Sequence, residues 1–335
     1  MRVLVCGGAG YIGSHMCKVL ADHGHEVAVL DDLSTGHRDA LRWGRHHHGS
    51  IGDRALLEQI FTGFKPQGVL HFAAKSLVGE SGTNPAIYYQ NNVACSLELL
   101  ECLRHRPEIP LVFSSTAAVY GKPQTALISE THPLSPINVY GRTKLMVERA
   151  LQDYFTAYRM SSVTFRYFNA AGADPSGLIG EDHQPETHLI PNILRSALGN
   201  GSKVSVFGAD YETPDGTCIR DYIHVIDLCK AHLLGLEYAQ RNPGANVFNL
   251  GSESGFSVIE VIKAARAVTG LDIPYELAAR REGDPARLVA DSSLAQTLLG
   301  WLPQTKDLHT IIDTAWRWHQ HRHPVSNFMQ QAAQR

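Results

Sequence analysis

Through the first half of the chain, short apolar runs alternate with longer stretches whose apolar residues recur every three to four positions. Arg2 to Cys6, Glu26 to Leu30, Gly68 to Phe72, Pro110 to Ser114 and Ser162 to Phe168 are β-branched or leucine-rich runs. They read as strands buried on both faces. Gly13 to His23, Asn84 to His105 and Val139 to Tyr158 carry helical periodicity, the last two long enough to cross a sheet. Such alternation predicts an α/β fold with a doubly wound parallel sheet, whose ligands sit at the carboxyl ends of the strands. After Phe168 the texture changes to segments rich in Gly, Pro and Asp, from Asn169 to Glu186 and from Gly208 to Gly216, with short helices between. That suits a smaller, mixed α/β lobe closing over a substrate. The expected division is residues 1–170 and 171–335, with a segment near 220–250 returning to the first domain.

At 335 residues and 44% hydrophobic content, the chain can bury the cores of two joined lobes. Its 30 basic and 33 acidic residues leave a formal charge of -3 and are spread throughout, so no broad positive field for nucleic acid or anionic lipid is expected. Phosphate recognition must then be local. No run approaches the ~18 apolar residues of a membrane span, and glycines interrupt the apolar start at once, which reads as a first strand rather than a leader. Six cysteines, with no CxxC pair or zinc-like spacing, fit a reducing, cytoplasmic setting. His46-His47-His48 falls on a short strand where neighbours face opposite ways, and His319-Gln320-His321-Arg322-His323 lies near the carboxyl terminus. Both are expected at the solvated surface, and no metal site is expected.

Gly7-Gly8-Ala9-Gly10-Tyr11-Ile12-Gly13 follows the first strand and opens a helix, matching G-x-x-G-x-x-G. Glycine there permits a tight turn, close approach of a pyrophosphate to backbone N–H groups, and packing of helix on strand. The second strand ends at Asp31-Asp32, about 20 residues on, where a carboxylate meets the ribose hydroxyls of NAD rather than the extra phosphate of NADP. The plainer alternative makes these aspartates a loop start or helix cap.

Tyr140-Gly141-Arg142-Thr143-Lys144 begins a long helix, so phenol and ammonium share one face. A tyrosine with pKa near ~10 is a poor base, and an adjacent Lys⁺ together with an oxidised nicotinamide is expected to depress it. Phe113 to Gly121 ends the fifth strand with Ser114, Ser115 and Thr116 at the same sheet edge. Thr116 is the candidate to share a reacting hydroxyl with Tyr140; turn chemistry alone accounts for Ser114 or Ser115.

Together GGAGYIGSH, HFAAKSLVGES, SSTAAVYG, YGRTK, RYFNAAG, THLIP, RDYIHV and RREGDPA resemble the extended short-chain dehydrogenase/reductase family, and within it the UDP-glucose 4-epimerase branch, from Met1 to about Trp301. The resemblance implies a Rossmann domain, tightly held NAD, a UDP-sugar substrate and a homodimer formed through two helices, Asn84 to His105 and Val139 to Tyr158. It places Tyr11, Ile12, Asp31, Asp32 and the loop Leu33, Ser34, Thr35 and Gly36 around the adenosine and pyrophosphate. Phe72, Ala73, Ala74, Asn91 and Phe168 would line the nicotinamide half. Where the family carries Gly-Asp-Ile after the third strand, this chain has Gly49-Ser50-Ile51, so Ser50 would give a neutral hydrogen bond and Asp53 would cap the next helix. Lys75 and Ser76 stand where some relatives carry one lysine. Asn169, His188, Leu189, Ser205, Val206 and Phe207 align with groups that hold the nucleotide of the substrate. Arg220 and Arg281 align with diphosphate-binding arginines, with Asp284 orienting Arg281 or binding ribose; structural ion pairs are the alternative. Leu288 replaces a bulkier tyrosine found in some relatives and leaves room for N-acetylated sugars.

A 4,6-dehydratase would need Asp-Glu after the strand-five threonine, where Ala117-Ala118 stand. A glucuronate epimerase shares most of the site. A non-catalytic NAD(H)-binding regulator is the reading of another class, since fold alone never proves activity.

Overall fold

The structure, a computed structural model, describes residues 1–199, 203–281 and 283–322. The first part runs β1 (Arg2–Cys6), α1 (Tyr11–Asp22), β2 (Glu26–Asp31), β3 (Arg45–His48), α2 (Arg54–Gly63), β4 (Gly68–His71), α3 (Val78–Thr83), α4 (Pro85–Tyr88), α5 (Cys95–Leu103), β5 (Leu111–Thr116), α6 (Val139–Tyr158) and β6 (Ser162–Tyr167). There follow β7 (Asn169–Ala171), α7 (Leu189–Ala197), β8 (Val204–Phe207), β9 (Ile219–Arg220), β10 (Tyr222–His224), α8 (Val225–Arg241) and β11 (Ala245–Leu250). The chain closes with β12 (Phe256–Ser257), α9 (Val258–Thr269), β13 (Tyr275–Ala278), β14 (Arg287–Leu288), α10 (Ser293–Leu299) and α11 (Leu308–Arg322).

Seven strands pair in parallel in the order β11-β6-β5-β4-β1-β2-β3. The chain winds outward from β1 to β3, then returns to the far side of β1 at β4, which opens a crevice between the carboxyl ends of β1 and β4. Both faces of the sheet are covered. Val3 and Val5 pack with Met16 of α1 and Leu228 and Leu236 of α8, while Leu4 and Cys6 pack with Leu57 of α2, Leu99 of α5 and Leu151 of α6. Successive residues of β1 therefore enter opposite cores, the physical reason its sequence is apolar throughout. In the smaller lobe Ile193 of α7, Val261 and Ile262 of α9 and Ile311 and Ile312 of α11 share a separate core. From the second half of the chain, β11 joins the large sheet beside β6, and Phe248 and Leu250 enter the same core as α8.

The five strands read from the sequence are present, displaced at their ends by at most two residues. The helix expected over Asn84 to His105 runs unbroken from residue 85 to 103, with α4 and α5 flanking a π-helical turn at Tyr89–Ala94. The wide turn rotates buried Asn92 inward, where its amide brackets the backbone of Lys75 and also reaches the Thr143 hydroxyl. His46 and His48 are exposed on the edge strand β3. His319 departs from expectation, being buried on the inner face of α11; His323 lies outside the described residues. All six cysteines are free and buried. No described helix is long and apolar enough to cross a membrane.

Candidate active site

The turn after β1 is built by exclusion of side chains. A Cβ on Gly7, whose φ is +84°, would stand 2.6 Å from the Ala73 nitrogen, and one on Gly13 would meet the Gly7 carbonyl oxygen at 2.0 Å. Gly36 must likewise be bare to lie against Ala9. Gly10 differs, because its Cβ would make only an ordinary 3.5 Å contact with protein. Glycine at that position keeps open the space over the helix N-terminus, where a pyrophosphate would meet backbone N–H groups. The site therefore fits a dinucleotide. A cavity of ≈ 50 Å³ lies over the turn between Gly10, Tyr11, Thr35 and Gly36 on one side and Gly180, His183 and Trp318 on the other. The Tyr11 hydroxyl donates to the Gly172 carbonyl at 2.6 Å and ties the turn to the smaller lobe, while the Ile12 carbonyl accepts from the Cys229 thiol.

Asp31 orders this turn directly. Its two carboxylate oxygens accept from Ala9 N and Leu33 N, each at 2.8 Å, and the exposed Asp32 accepts from Ser34 N at 2.9 Å. The loop-start alternative is thus part of their role, with Asp32 the more open of the two. Leu33 adopts a left-handed φ of 58°. Ser50 is engaged locally, accepting from Gly52 N at 3.1 Å and contacting the Cys95 thiol, and Asp53 caps α2 through Leu56 N. Ile51 is buried in the core, so its side chain serves packing rather than a ligand. Ala73 and Ala74 are half-buried behind Phe72, whose ring packs on His232 at 4.8 Å. Asn91 donates to Asn92 at 3.0 Å, Lys75 is positioned through its backbone, and Ser76 is exposed.

Asn138 caps α6 by accepting from Gly141 N at 2.8 Å, which sets Tyr140 in the first turn. Gly141 is needed for this docking, since a Cβ would lie 2.5 Å from the Ala118 carbonyl oxygen. The approach brings the phenol of Tyr140 into hydrogen-bonding reach of the Thr116 hydroxyl at the end of β5. Lys144, one turn on and 3% exposed, donates to the Ser114 carbonyl at 2.7 Å, and its nitrogen lies 5.9 Å from the Tyr140 ring centroid. Tyr140, Thr116 and Lys144 are therefore assembled as the sequence predicts.

Among the protein's own groups, burial dominates their protonation. Burial pushes the Tyr140 phenol up to about 12, outweighing the lowering effect of Thr116, and burial pulls Lys144 down to about 7, against Glu148, which raises it. In a dry pocket each charge costs more than one neighbour restores. Beneath them lies a network that the sequence reading missed. Glu148 and Arg166, both 3% exposed, pair at 2.5 Å; Glu148 also accepts from the Ser115 hydroxyl, and Arg166 reaches the Tyr120 hydroxyl at 3.0 Å, which donates to Asn249. Glu148 lies one turn beyond Lys144, so the spacing Tyr140, Lys144, Glu148 was the available signal.

On the smaller lobe β8 alternates, so Val206 is buried in the core whereas Ser205 and Phe207 share the opposite, half-buried face. Val206 can therefore offer a ligand only its backbone. The exposed Arg281 lies over the Phe207 ring, 3.8 Å from its centroid. Arg220 donates to the Ile219 and Pro285 carbonyls at 2.9 Å and pairs with Asp284 at 3.3 Å. Asp284 thus orients Arg220, not Arg281, which corrects one alternative and bears out another. Asn169 N donates to the Asp221 carbonyl, and the Asp221 carboxylate collects Ser252 N, Glu253 N and Ala290 N behind the site. Phe168 and Leu288 pack on one small cluster with Ala117, Val119 and Tyr120. His188 precedes α7, which Leu189 opens, and its Nδ1 turns toward Glu181 and Glu186.

The chain belongs to the NAD dependent epimerase/dehydratase family, whose model matches residues 3–251. It is 51% identical to the UDP-glucose 4-epimerase of Halalkalibacterium halodurans over 327 residues, covering 97% of this chain and 98% of that protein. The crystal structure of UDP-glucose 4-epimerase from Brucella ovis in complex with NAD superposes with a TM-score of 0.92 at 48% identity, covering 94% and 97% of the two chains. That of the Bifidobacterium longum enzyme in complex with NAD⁺ and UDP gives 0.91 at 37%, covering 97% and 99%.

Proposed function

We propose that the chain interconverts UDP-glucose and UDP-galactose by reversible epimerisation at carbon 4, acting as a cytoplasmic homodimer. It is an NAD-dependent isomerase. The observation that carries the reading is Tyr140 meeting Thr116 at the carboxyl edge of β5, with Lys144 buried one turn away, across the crevice from an open glycine turn. When bound, NAD supplies the hydride acceptor and donor for carbon 4 and, oxidised, a positive charge that draws the phenol toward ionisation.

Tyr140, once its own proton has left, takes as phenolate the proton from the sugar 4-hydroxyl and later returns it to the oxygen of the transient 4-keto sugar. Thr116 holds that oxygen through its own hydroxyl. Lys144, bonded to the Ser114 carbonyl, is poised near neutrality and gains its proton when negative charge forms on the phenol. Arg281, free at its outer face, and Arg220, braced by Asp284, hold the diphosphate while the sugar turns over. Asn169, His188, Leu189, Ser205, the Val206 backbone and Phe207 surround the nucleotide. Gly7, Gly10, Tyr11, Ile12, Gly13, Asp31 to Gly36, Ser50, Phe72 to Ser76, Asn91 and Phe168 enclose NAD.

A second reading, turnover of the N-acetylated UDP-hexoses, is favoured by Leu288, a smaller side chain than tyrosine, which packs against the cluster of Ala117, Val119 and Tyr120. The test is conversion of UDP-galactose to UDP-glucose by purified protein without added reductant. Absence of conversion with NAD still bound would leave a non-catalytic NAD-binding protein, and equal assays on the N-acetylated pair decide the second reading.

A further inference from the structure

Between β7 and α7 the chain packs Glu181, His183, Glu186 and His188 into eight residues. One ligand atom from each lies within 4.8 Å of all the others. Both imidazoles present Nδ1. The spacings are 2.9 Å from His188 Nδ1 to Glu181 Oε1, 3.0 Å from His188 Nδ1 to Glu186 Oε1, 3.4 Å from His183 Nδ1 to Glu181 Oε1 and 3.7 Å from His183 Nδ1 to Glu186 Oε2. A tetrahedral ion with bonds of about 2.0–2.1 Å separates its ligands by about 3.3 Å, close to this set.

The longer two distances exceed the usual range of an N–H···O bond. His183 Nδ1 and Glu186 Oε2 are buried and have no hydrogen-bond partner among the described residues. Glu186 is the more telling, because its side chain is only 1% exposed. Its other oxygen, Oε1, is fixed by Thr187 N at 2.8 Å and His188 N at 2.9 Å, which aims Oε2 into the cluster. His183 faces this oxygen at 3.7 Å, too far for a hydrogen bond, so the buried carboxylate gains more from a cation placed between them. Two carboxylates and two neutral imidazoles would balance a divalent ion, and His188, 41% exposed, leaves an entry path.

We propose that Glu181, His183, Glu186 and His188 form a structural site for a divalent transition-metal ion, zinc by its ligand set. The ion pins the loop that closes over the glycine turn, where the His183 ring stands edge-on to Tyr11 at 6.4 Å. Imidazole and carboxylate suit zinc better than magnesium, which prefers six oxygens. Without the ion, burial disfavours the charged imidazoles but the carboxylates outweigh it, holding His183 up to about 9 and His188 up to about 10. Metal uptake must therefore displace protons.

The experiment uses the full chain, stripped with chelator and dialysed, then titrated with Zn²⁺ by calorimetry in two buffers of different ionisation enthalpy. One zinc per chain is expected, with release of about two protons at neutral pH. Co²⁺ should give the intense visible bands of a tetrahedral site, and Mg²⁺ should not compete. Glu186→Gln should weaken zinc at least about 100-fold. If that variant does not fold, His183→Gln, at a side chain 25% exposed, should show the same loss. Exposed His46 and His48 are one rival pair of ligands, so His46→Ala with His48→Ala should leave the titration unchanged. The proposal is overturned by no saturable binding, by octahedral-type cobalt bands, or by binding that survives at the loop variants and vanishes with the strand pair.

Discussion

On the sheet side of the cleft Lys144, Glu148 and Arg166 are each 3% exposed and joined through β5, β6 and α6, whereas on the lobe side Arg281 stands exposed over a single ring and Arg220 leans on Asp284. The first arrangement withholds solvent, so that one displaced proton changes the energy of every neighbour. The second leaves Arg281 in water while Arg220, on β9, stays braced by Asp284. Under the proposed function, proton transfer would sit on rigid, buried elements and at least one anion contact on a loop that costs little to rearrange.

Tyr140→Phe should produce the largest change. Turnover is expected to fall by at least about 10²–10⁴-fold with NAD content and circular dichroism preserved. A near-normal rate would remove the phenol from the chemistry. Next, Glu148→Gln leaves Arg166 buried without its counter-charge and should destabilise the protein by about 3–5 kcal/mol in urea denaturation. A change near zero would mean that water reaches this pair and that the contrast between the two sides is false. Arg281→Ala should raise KM for the nucleotide sugar about 10- to 100-fold with kcat nearly kept, as expected for losing one charge-assisted contact. A fall in kcat alone would shift Arg281 from binding to the chemical step.

The smallest effect concerns pH and the loop histidines in chelator-treated protein. Folding raises His183 to about 9 and His188 to about 10, above the ordinary 6.5. The folded state then binds more protons, so this stabilisation is fully present below pH 6.5 and is lost as pH rises through 9 to 10. The difference in Tm between the stripped protein and its Glu186→Gln variant should accordingly shrink across that window. A difference that stays constant would show that these imidazoles are neutral throughout.

Local signals made much of this legible. Apolar runs gave five strands because a strand buried on both faces has no reason to alternate, and β1 enters two cores. Gly7 and Gly13 announced close approaches, since each would collide if it carried a Cβ, whereas the contact that Gly141 permits with Ala118 appeared only in the fold. Tyr140, Lys144 and Thr116 followed from one helical turn and one strand end. The widening of the helix at Tyr89–Ala94 was hidden, because one π-helical turn leaves the hydrophobic pattern little changed while it aims Asn92. That Val206 could offer only its backbone was not legible, because resemblance locates a position but not the face of the strand it occupies.

Sequence alone therefore determined the order of elements, the nucleotide turn and the placing of Tyr140 and Lys144 on one helix face, all of which depend on neighbours along the chain. Tertiary structure decided what surrounds those groups. Burial lifts Tyr140 to about 12 and lowers Lys144 to about 7, and it also selects Arg166 as the partner of Glu148. The distinction is physical: spacing is written residue by residue, whereas the cost of a charge depends on the atoms that distant segments bring around it and the water they exclude.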